Sequence, residues 1–180
     1  NTGTLTNMST TTSPVVGKIG QGLKFDGTSS YTSLSSQVSN ATNISYCAWV
    51  KMRAMTGLGG NVFGTSGAST GYIFLFFNDN NLYIGDNTVS GQVSWPYTLS
   101  QFVGKWRYLC VTKSGSSLTL YFDAVSQGTN TITNITPVDW IGHAQETKYN
   151  YFFDGLIDDV RIYNRALSAG EVAQLYNIGR

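Results

Sequence analysis

The 180-residue sequence predicts an all-β, antiparallel domain, a sandwich or jelly roll, closed by one short C-terminal helix. Two observations carry most of this. Seven runs read as strands, separated by clusters of Gly, Asn, Asp and Ser. Only one segment, close to the C-terminus, has helical spacing of its apolar residues. Composition agrees: aromatics make up 13% and charged residues only 12%. Ser (19), Thr (21) and Asn (14) together supply 54 residues, a surface chemistry that suits strands and secreted all-β domains.

Taken in order, residues 1–16 are a Thr/Ser-rich leader or an edge strand, and residues 17–180 form a single domain. Strands are predicted at Gly22–Phe25, Ile44–Met52, Tyr72–Phe77, Leu82–Gly85, Trp106–Lys113, Leu118–Phe122 and Leu156–Tyr163. Asn78-Asp79-Asn80-Asn81 and Ser114-Gly115-Ser116-Ser117 are placed as hairpin turns, because alternating strands flank them. The helix is predicted over Ala169–Asn177. Ser168 and Glu171 form an S-x-x-E capping box, Val172, Leu175 and Tyr176 make one apolar face, and Gly179 is the stop signal.

Several functional classes are excluded early. A net charge of +1 lacks the basic stripe of a nucleic-acid binder. Aromatic and apolar content is too high for a disordered chain. No apolar run is long enough for a membrane-spanning helix, so no membrane insertion is expected. No signal-peptide pattern opens the sequence, which reads as a mature protein or an excised module of a larger one. Its surface chemistry points to an extracellular location, secreted or at the cell surface.

Five blocks, in order, then carry a resemblance. They are Gly17-Lys18-Ile19-Gly20-Gln21-Gly22-Leu23-Lys24-Phe25-Asp26-Gly27, Ile44-Ser45-Tyr46-Cys47-Ala48-Trp49-Val50-Lys51, Gly104-Lys105-Trp106-Arg107-Tyr108, Leu118-Thr119-Leu120-Tyr121-Phe122-Asp123 and the long run Asp154 to Ser168. Together they resemble laminin-G-like domains of the concanavalin A-like lectin/glucanase superfamily. The resemblance implies a two-sheet jelly roll with a curved front sheet. It does not imply one function, because that superfamily holds lectins, adhesion modules, pentraxins and glycoside hydrolases.

The two cysteines are too far apart in sequence for CxxC redox chemistry. By period-two alternation Cys47 shares a face with Trp49, and Cys110 shares one with Trp106 and Tyr108. Two buried thiols would suit such positions. The likeness to pentraxins implies instead a Cys47–Cys110 disulfide, and with it an oxidising compartment.

For metals, calcium is the cation considered, with Asp26 and Asp158 as its oxygen donors. In related glycoside hydrolases a strand similar to Asp158-Asp159-Val160-Arg161-Ile162-Tyr163 supplies an aspartate to structural calcium. The alternative is that Asp26 caps a turn and that Asp158 or Asp159 pairs with Arg161 or Arg165. The stretch His143-Ala144-Gln145-Glu146-Thr147-Lys148 lacks the acid density of a pentraxin calcium loop. One histidine and two distant cysteines do not make a zinc site.

Catalysis is not expected. Glycoside hydrolysis needs two facing carboxylates, and the E-x-D-x-x-E strand pattern of the superfamily's glucanases is missing. Glu171 is explained by the capping box, and His143 has no G-x-S-x-G partner. A non-catalytic carbohydrate-binding module is expected, with a glycan or polysaccharide as partner. Flat aromatics meet the C–H faces of sugars, and short polar side chains meet their hydroxyls. The candidates are Trp95, Tyr97, Trp140, His143, Tyr149 and Tyr151, with Asn78, Asn80, Asp86 and Asn87 as polar partners. The alternative is an adhesion, protein-binding or spacer module. Trp49 and Trp106 are read as core, and Trp95 and Trp140 as either packing or ligand contact. N-x-S/T sequons stand at Asn7, Asn40, Asn43 and Asn134.

Overall fold

The fold is a two-layer β-sandwich with one helix on its outer face. The computed structural model describes residues 2–38, 42–54, 60–66, 74–78, 80–85, 91–133, 135, 137–145 and 150–180, with the backbone alone over 74–78. The described strands are β1 (Gly3–Thr6), β2 (Pro14–Val16), β3 (Gln21–Asp26), β4 (Tyr31–Val38), β5 (Asn43–Met52), β6 (Gly60–Gly64), β7 (Phe74–Asn78) and β8 (Asn81–Gly85). They continue with β9 (Gln92–Pro96), β10 (Arg107–Ser114), β11 (Ser117–Phe122), β12 (Val125–Thr131), β13 (Val138–Ile141), β14 (His143–Gln145), β15 (Asn150–Phe152) and β16 (Asp154–Tyr163). Helix α1 spans Ala169–Ile178.

Seven strands form a front sheet, in the order β1-β4-β13-β6-β7-β8-β9. Seven form a back sheet, β12-β11-β10-β5-β16-β3-β2, and β14 and β15 make a small separate hairpin. The two predicted turns are present. Asn78 pairs with Asn81 and Ser114 with Ser117, and Asn80 and Gly115 take the positive φ that two-residue hairpin loops demand. Residues 1–16 contribute β1 and β2 at two sheet edges.

Strict alternation along β5 builds two cores. Ile44, Tyr46, Ala48, Val50 and Met52 face the front sheet and join Phe25, Phe63, Leu82, Ile84, Trp95 and Phe153 in the inter-sheet core. Cys47 and Trp49 face outward and pack with Tyr108, Cys110, Tyr121, Leu167 and Val172 beneath α1. Trp49 stacks on Tyr176 at 5.5 Å, which fixes the helix to the sheet. Trp106 packs against the same cluster, half-buried. Ser168 caps the helix: its Oγ accepts from Glu171 N–H, and Glu171 Oε2 accepts from Ser168 N–H at 2.9 Å. Arg165 binds the other carboxylate oxygen at 2.5 Å. These hydrogen bonds, Arg165's first, pull the Glu171 carboxyl down to about 2.

The disulfide implied by the family resemblance is formed between Cys47 and Cys110. The two residues are direct cross-strand partners in the central β5–β10 pair.

Nine of the strands lie outside the runs predicted from sequence. Some are polar, such as β4 with Ser-Leu-Ser-Ser at its centre and β12, exposed along most of its length, and hydrogen bonding to neighbours rather than side-chain hydrophobicity makes these strands. Others, β6, β9 and β13, do bury Val62, Phe63, Trp95, Val138 and Ile141 in the inter-sheet core, but each is only four or five residues long, too short for alternation to show.

Candidate functional site

The candidate site is an aromatic column on the front sheet. Trp140 on β13, His143 on β14 and Phe152 on β15 stack nearly parallel. The ring centroids are 4.5 Å apart for Trp140–His143 and 3.9 Å for His143–Phe152, with interplanar angles of 15° and 6°. Tyr31, the first residue of β4, leans against two of them, 4.9 Å from Trp140 and 5.2 Å from His143. His143 is buried at the centre, only 3% exposed. Tyr31, Trp140 and Phe152 are half-buried, so each residue remains partly accessible to water.

Local structure accounts for this placement. Along β13, Val138 and Ile141 enter the inter-sheet core, and Trp140 lies on the opposite face. Its cross-strand neighbours are Ser33 on β4 and Gly64 on β6, side chains too small to cover an indole. Gly64 cannot be larger, because a Cβ there would run into the His143 carbonyl and the Ala144 methyl. The same contact shows the β14–β15 hairpin lying directly over β6. Beside Trp140, the Asp139 carboxylate accepts from Ser66 N–H at 2.7 Å and from its hydroxyl at 2.5 Å.

Burial pushes the His143 imidazole down to about 4, against a hydrogen bond to the Tyr151 backbone that raises it. The ring is therefore neutral at pH 7. Among the described residues its Nδ1 has no hydrogen-bond partner.

The other residues singled out from sequence fall elsewhere. Trp95 and Tyr97 are 5% exposed and belong to the inter-sheet core, so neither presents a face to a ligand. Trp95 alternates inward along β9 opposite Leu82, and Tyr97 meets Phe102 edge-on at 5.3 Å. The expectation that they contact ligand is corrected: an edge strand containing Pro96 is still a strand, and its alternation buries the indole. Tyr151 is 8% exposed and acts through its backbone on His143. Asn80 forms the β7–β8 turn, three strands from Trp140, about 14 Å at ordinary strand spacing, and so does not join the column. Asn78 has only its backbone described, and Asp86, Asn87 and Tyr149 lie outside the described residues.

Sequence reasoning missed Tyr31 and Phe152 as site residues. Phe152 reads as the start of the last strand, and nothing local links Tyr31 to a tryptophan 109 positions away. Only the β4–β13 register brings them together.

The aspartates proposed for calcium do not share a site. Asp26 pairs in register with Asp154, and Asp158 is four residues further along β16, about 13 Å at the rise of a strand. Ligands of one calcium ion lie within about 5 Å of each other. Both carboxylates already serve the backbone. Asp26 Oδ1 accepts from the N–H groups of Thr28, Ser29 and Ser30. Burial raises the Asp26 pKa, but these bonds outweigh it and hold the carboxyl well below the usual range. Asp158 Oδ2 accepts from the N–H groups of Lys18 and Ile19, each at 2.7 Å, and Oδ1 from Asp159 N–H at 2.7 Å. Among the described residues no group of three or more His, Cys, Asp or Glu could hold a metal ion.

Two expectations follow for these aspartates. Asp158→Ala orphans three N–H donors; because they are only part-buried, water replaces much of what the carboxylate supplied, and the loss is expected to be about 2 kcal/mol, well below three times the roughly 1–3 of a fully buried donor. Urea unfolding at pH 7 checks it, and a loss below about 0.5 kcal/mol, the level of an ordinary surface substitution, would refute it. A chelator is expected to leave the melting temperature unchanged. A drop on chelation, restored by added calcium, would show a calcium site that this geometry does not account for.

Arg53 Nε donates to Asp154 Oδ1 at 2.7 Å, and Arg161 Nε to both oxygens of Asp159 at 2.9 Å. Asp159, at φ 47°, lies in the β-bulge between Asp158 and Arg161. Every one of these carboxylates has a structural partner.

Comparison with known proteins supports the fold. Residues 26–173 match the model of a laminin-G family described as belonging to the concanavalin A-like lectin/glucanases superfamily. No curated protein matches the chain in sequence. Among solved structures, domain 4 of AbnA, a GH43 extracellular arabinanase from Geobacillus stearothermophilus in complex with arabinotriose, aligns with TM-score 0.76 and 23% identity, over 97% of this chain and 87% of that one. A heptameric SAP-like pentraxin from Limulus polyphemus aligns with TM-score 0.60 and 19% identity, over 85% and 80%. The receptor-binding domain of botulinum neurotoxin D aligns with TM-score 0.67 and 14% identity, over 97% of this chain and 47% of that one; the chain spans about half of that structure. At these identities the likeness is one of fold.

Proposed function

We propose that this chain, which belongs to the laminin-G family of the concanavalin A-like lectin/glucanases superfamily, is a non-catalytic carbohydrate-binding module of a secreted or cell-surface protein. The observation that carries the reading is the Trp140–His143–Phe152 column with Tyr31 beside it. Stacking fixes the ring orientations before any ligand arrives, which lowers the ordering cost of binding. The half-buried indole of Trp140 offers an apolar surface to a sugar ring. Ser33, Ser66 and Asp139 offer hydroxyl and carboxylate groups nearby. The disulfide suits an oxidising compartment, and the structural partners of the carboxylates leave no facing acid–base pair among them.

The arabinotriose complex of the arabinanase domain makes arabino-oligosaccharides the first ligands to try, within a broad glycan and polysaccharide array. A confined set of hits is expected. Trp140→Ala is expected to weaken binding about 30-fold, the effect of truncating a central aromatic anchor worth ~2 kcal/mol, with the melt retained. Tyr31→Ala is expected to weaken it less. Binding that survives Trp140→Ala at full strength would move the site away from the column. A blank array with folded protein would leave an adhesion, protein-binding or spacer module as the reading.

A further inference from the structure

We infer that the back of the sandwich carries a second binding site, for an aryl carboxylate or a carboxylate with a comparably compact apolar body. It is separate from the front-sheet column and does not depend on a glycan being bound there.

A cavity of about 280 Å³ opens at the end of the β3–β16–β5 strand triplet. That is room for roughly nine water molecules, or for a ligand of similar heavy-atom count. Its walls are almost entirely apolar atoms. The strand register explains the shape. Gly155 lies between Phe25 and Met52, and Leu156 lies between Lys24 and Lys51. Gly155 contributes no side chain to the first row, and a Cβ there would run into the Lys51 carbonyl. Phe25 and Met52 are each 1% exposed, so the deep end of the cavity is core.

Lys24, Lys51 and Arg53 line the same cavity. With apolar walls, they contribute their methylene stems and hold their charges toward water. The nearby acids do not neutralise the lysines. Asp154 is engaged by Arg53 Nε at 2.7 Å, and the Asp26 carboxylate is taken up by the β3–β4 turn. Among the described residues neither Lys24 nor Lys51 has a salt-bridge partner. An apolar chamber with two uncompensated ammonium groups at its rim selects a ligand with an apolar body and an anionic end. A neutral sugar, with hydroxyls all round, would find no partners on those walls.

The test is a titration of the isotope-labelled full chain, followed by backbone amide shifts at Gly104, Gly155 and Leu156. Cinnamate is the probe and cinnamyl alcohol its neutral counterpart, at pH 7 and low salt. Cinnamate is expected to saturate and to bind about tenfold tighter than the alcohol, the effect of one charge-assisted hydrogen bond. The double variant Lys24→Gln, Lys51→Gln is expected to abolish that preference. Leu156→Trp, which fills the cavity, is expected to abolish the shifts; if it does not fold, the lysine variant decides alone. No saturable shift up to about 10 mM cinnamate, equal binding of the alcohol, or an unchanged preference in the lysine variant would each overturn the site. Arabinotriose binding is expected to be unaltered by the lysine variant, so failure here and failure of the front-sheet reading are told apart.

Discussion

Replacing both Cys47 and Cys110 with alanine is expected to lower stability by roughly 4 kcal/mol, from the closure entropy of a loop of about 64 residues. For a domain of this size that corresponds to about 8–16 °C in melting temperature. The effect is large because of what the loop contains. Between the two cysteines the chain leaves the back sheet, forms β6, β7, β8 and β9 of the front sheet, and returns to pair beside its starting strand. In the unfolded chain the bridge forbids most separations of those ends; in the folded one they are already neighbours. Thermal melts of the native and double-alanine proteins measure the loss. A difference below about 1 kcal/mol, well under the ordinary range for disulfides, would show that the unfolded chain is not restrained as supposed.

Acid is expected to weaken the fold through His143. Its pKa in the folded protein is about 4, chiefly because it is buried, against an ordinary value of 6.5. Between these values the unfolded chain binds a proton that the folded one does not, so stability falls as pH falls. The contribution is complete above pH 6.5 and exhausted below pH 4, and amounts to about 3 kcal/mol at 1.36 kcal/mol per unit. Unfolding free energies at pH 7, 5.5 and 4.5 check the slope. His143→Phe keeps a flat ring between Trp140 and Phe152 and is expected to flatten the profile in this window. Asp26 and Glu171, with depressed pKa values, act at lower pH, where the unfolded chain's carboxyls protonate. A profile unchanged by His143→Phe would place the acid sensitivity elsewhere. Because His143 is also the middle of the column, the same protonation is expected to loosen the Trp140–His143–Phe152 stack.

The strands with strong alternation were legible in the sequence, as was the helix. In β5, β10, β11 and β16 the apolar residues are dense enough for period two to show, and the Ser168–Glu171 box marks where α1 starts. That Cys47 shares a face with Trp49, and Cys110 one with Tyr108, followed from alternation; the bond between the cysteines followed from family likeness, and only the structure shows that this face turns outward beneath α1. The Ser- and Thr-rich β4 and the short β14 and β15 carry no such pattern, because their pairing is supplied by neighbours.

The site divides in the same way. Sequence pointed to Trp140 and His143 as residues of the right chemistry, and equally to Trp95 and Tyr97. Aromatic side chains serve cores and sugar platforms alike, so composition could not separate them. What separated them was register: Trp95 falls opposite Leu82 and turns inward, while Trp140 falls between Ser33 and Gly64 and stays partly open. Asp26 and Asp158 likewise have the oxygen chemistry for calcium, but β16 spaces them apart and the backbone takes up their lone pairs. Local periodicity therefore determined the class of fold, the cap and which residues share a face with each cysteine, because those depend on residues near one another in the chain. Which rings meet, which carboxylates are occupied and where a cavity opens depend on pairings across as many as 140 residues, and only the folded sheets decide them.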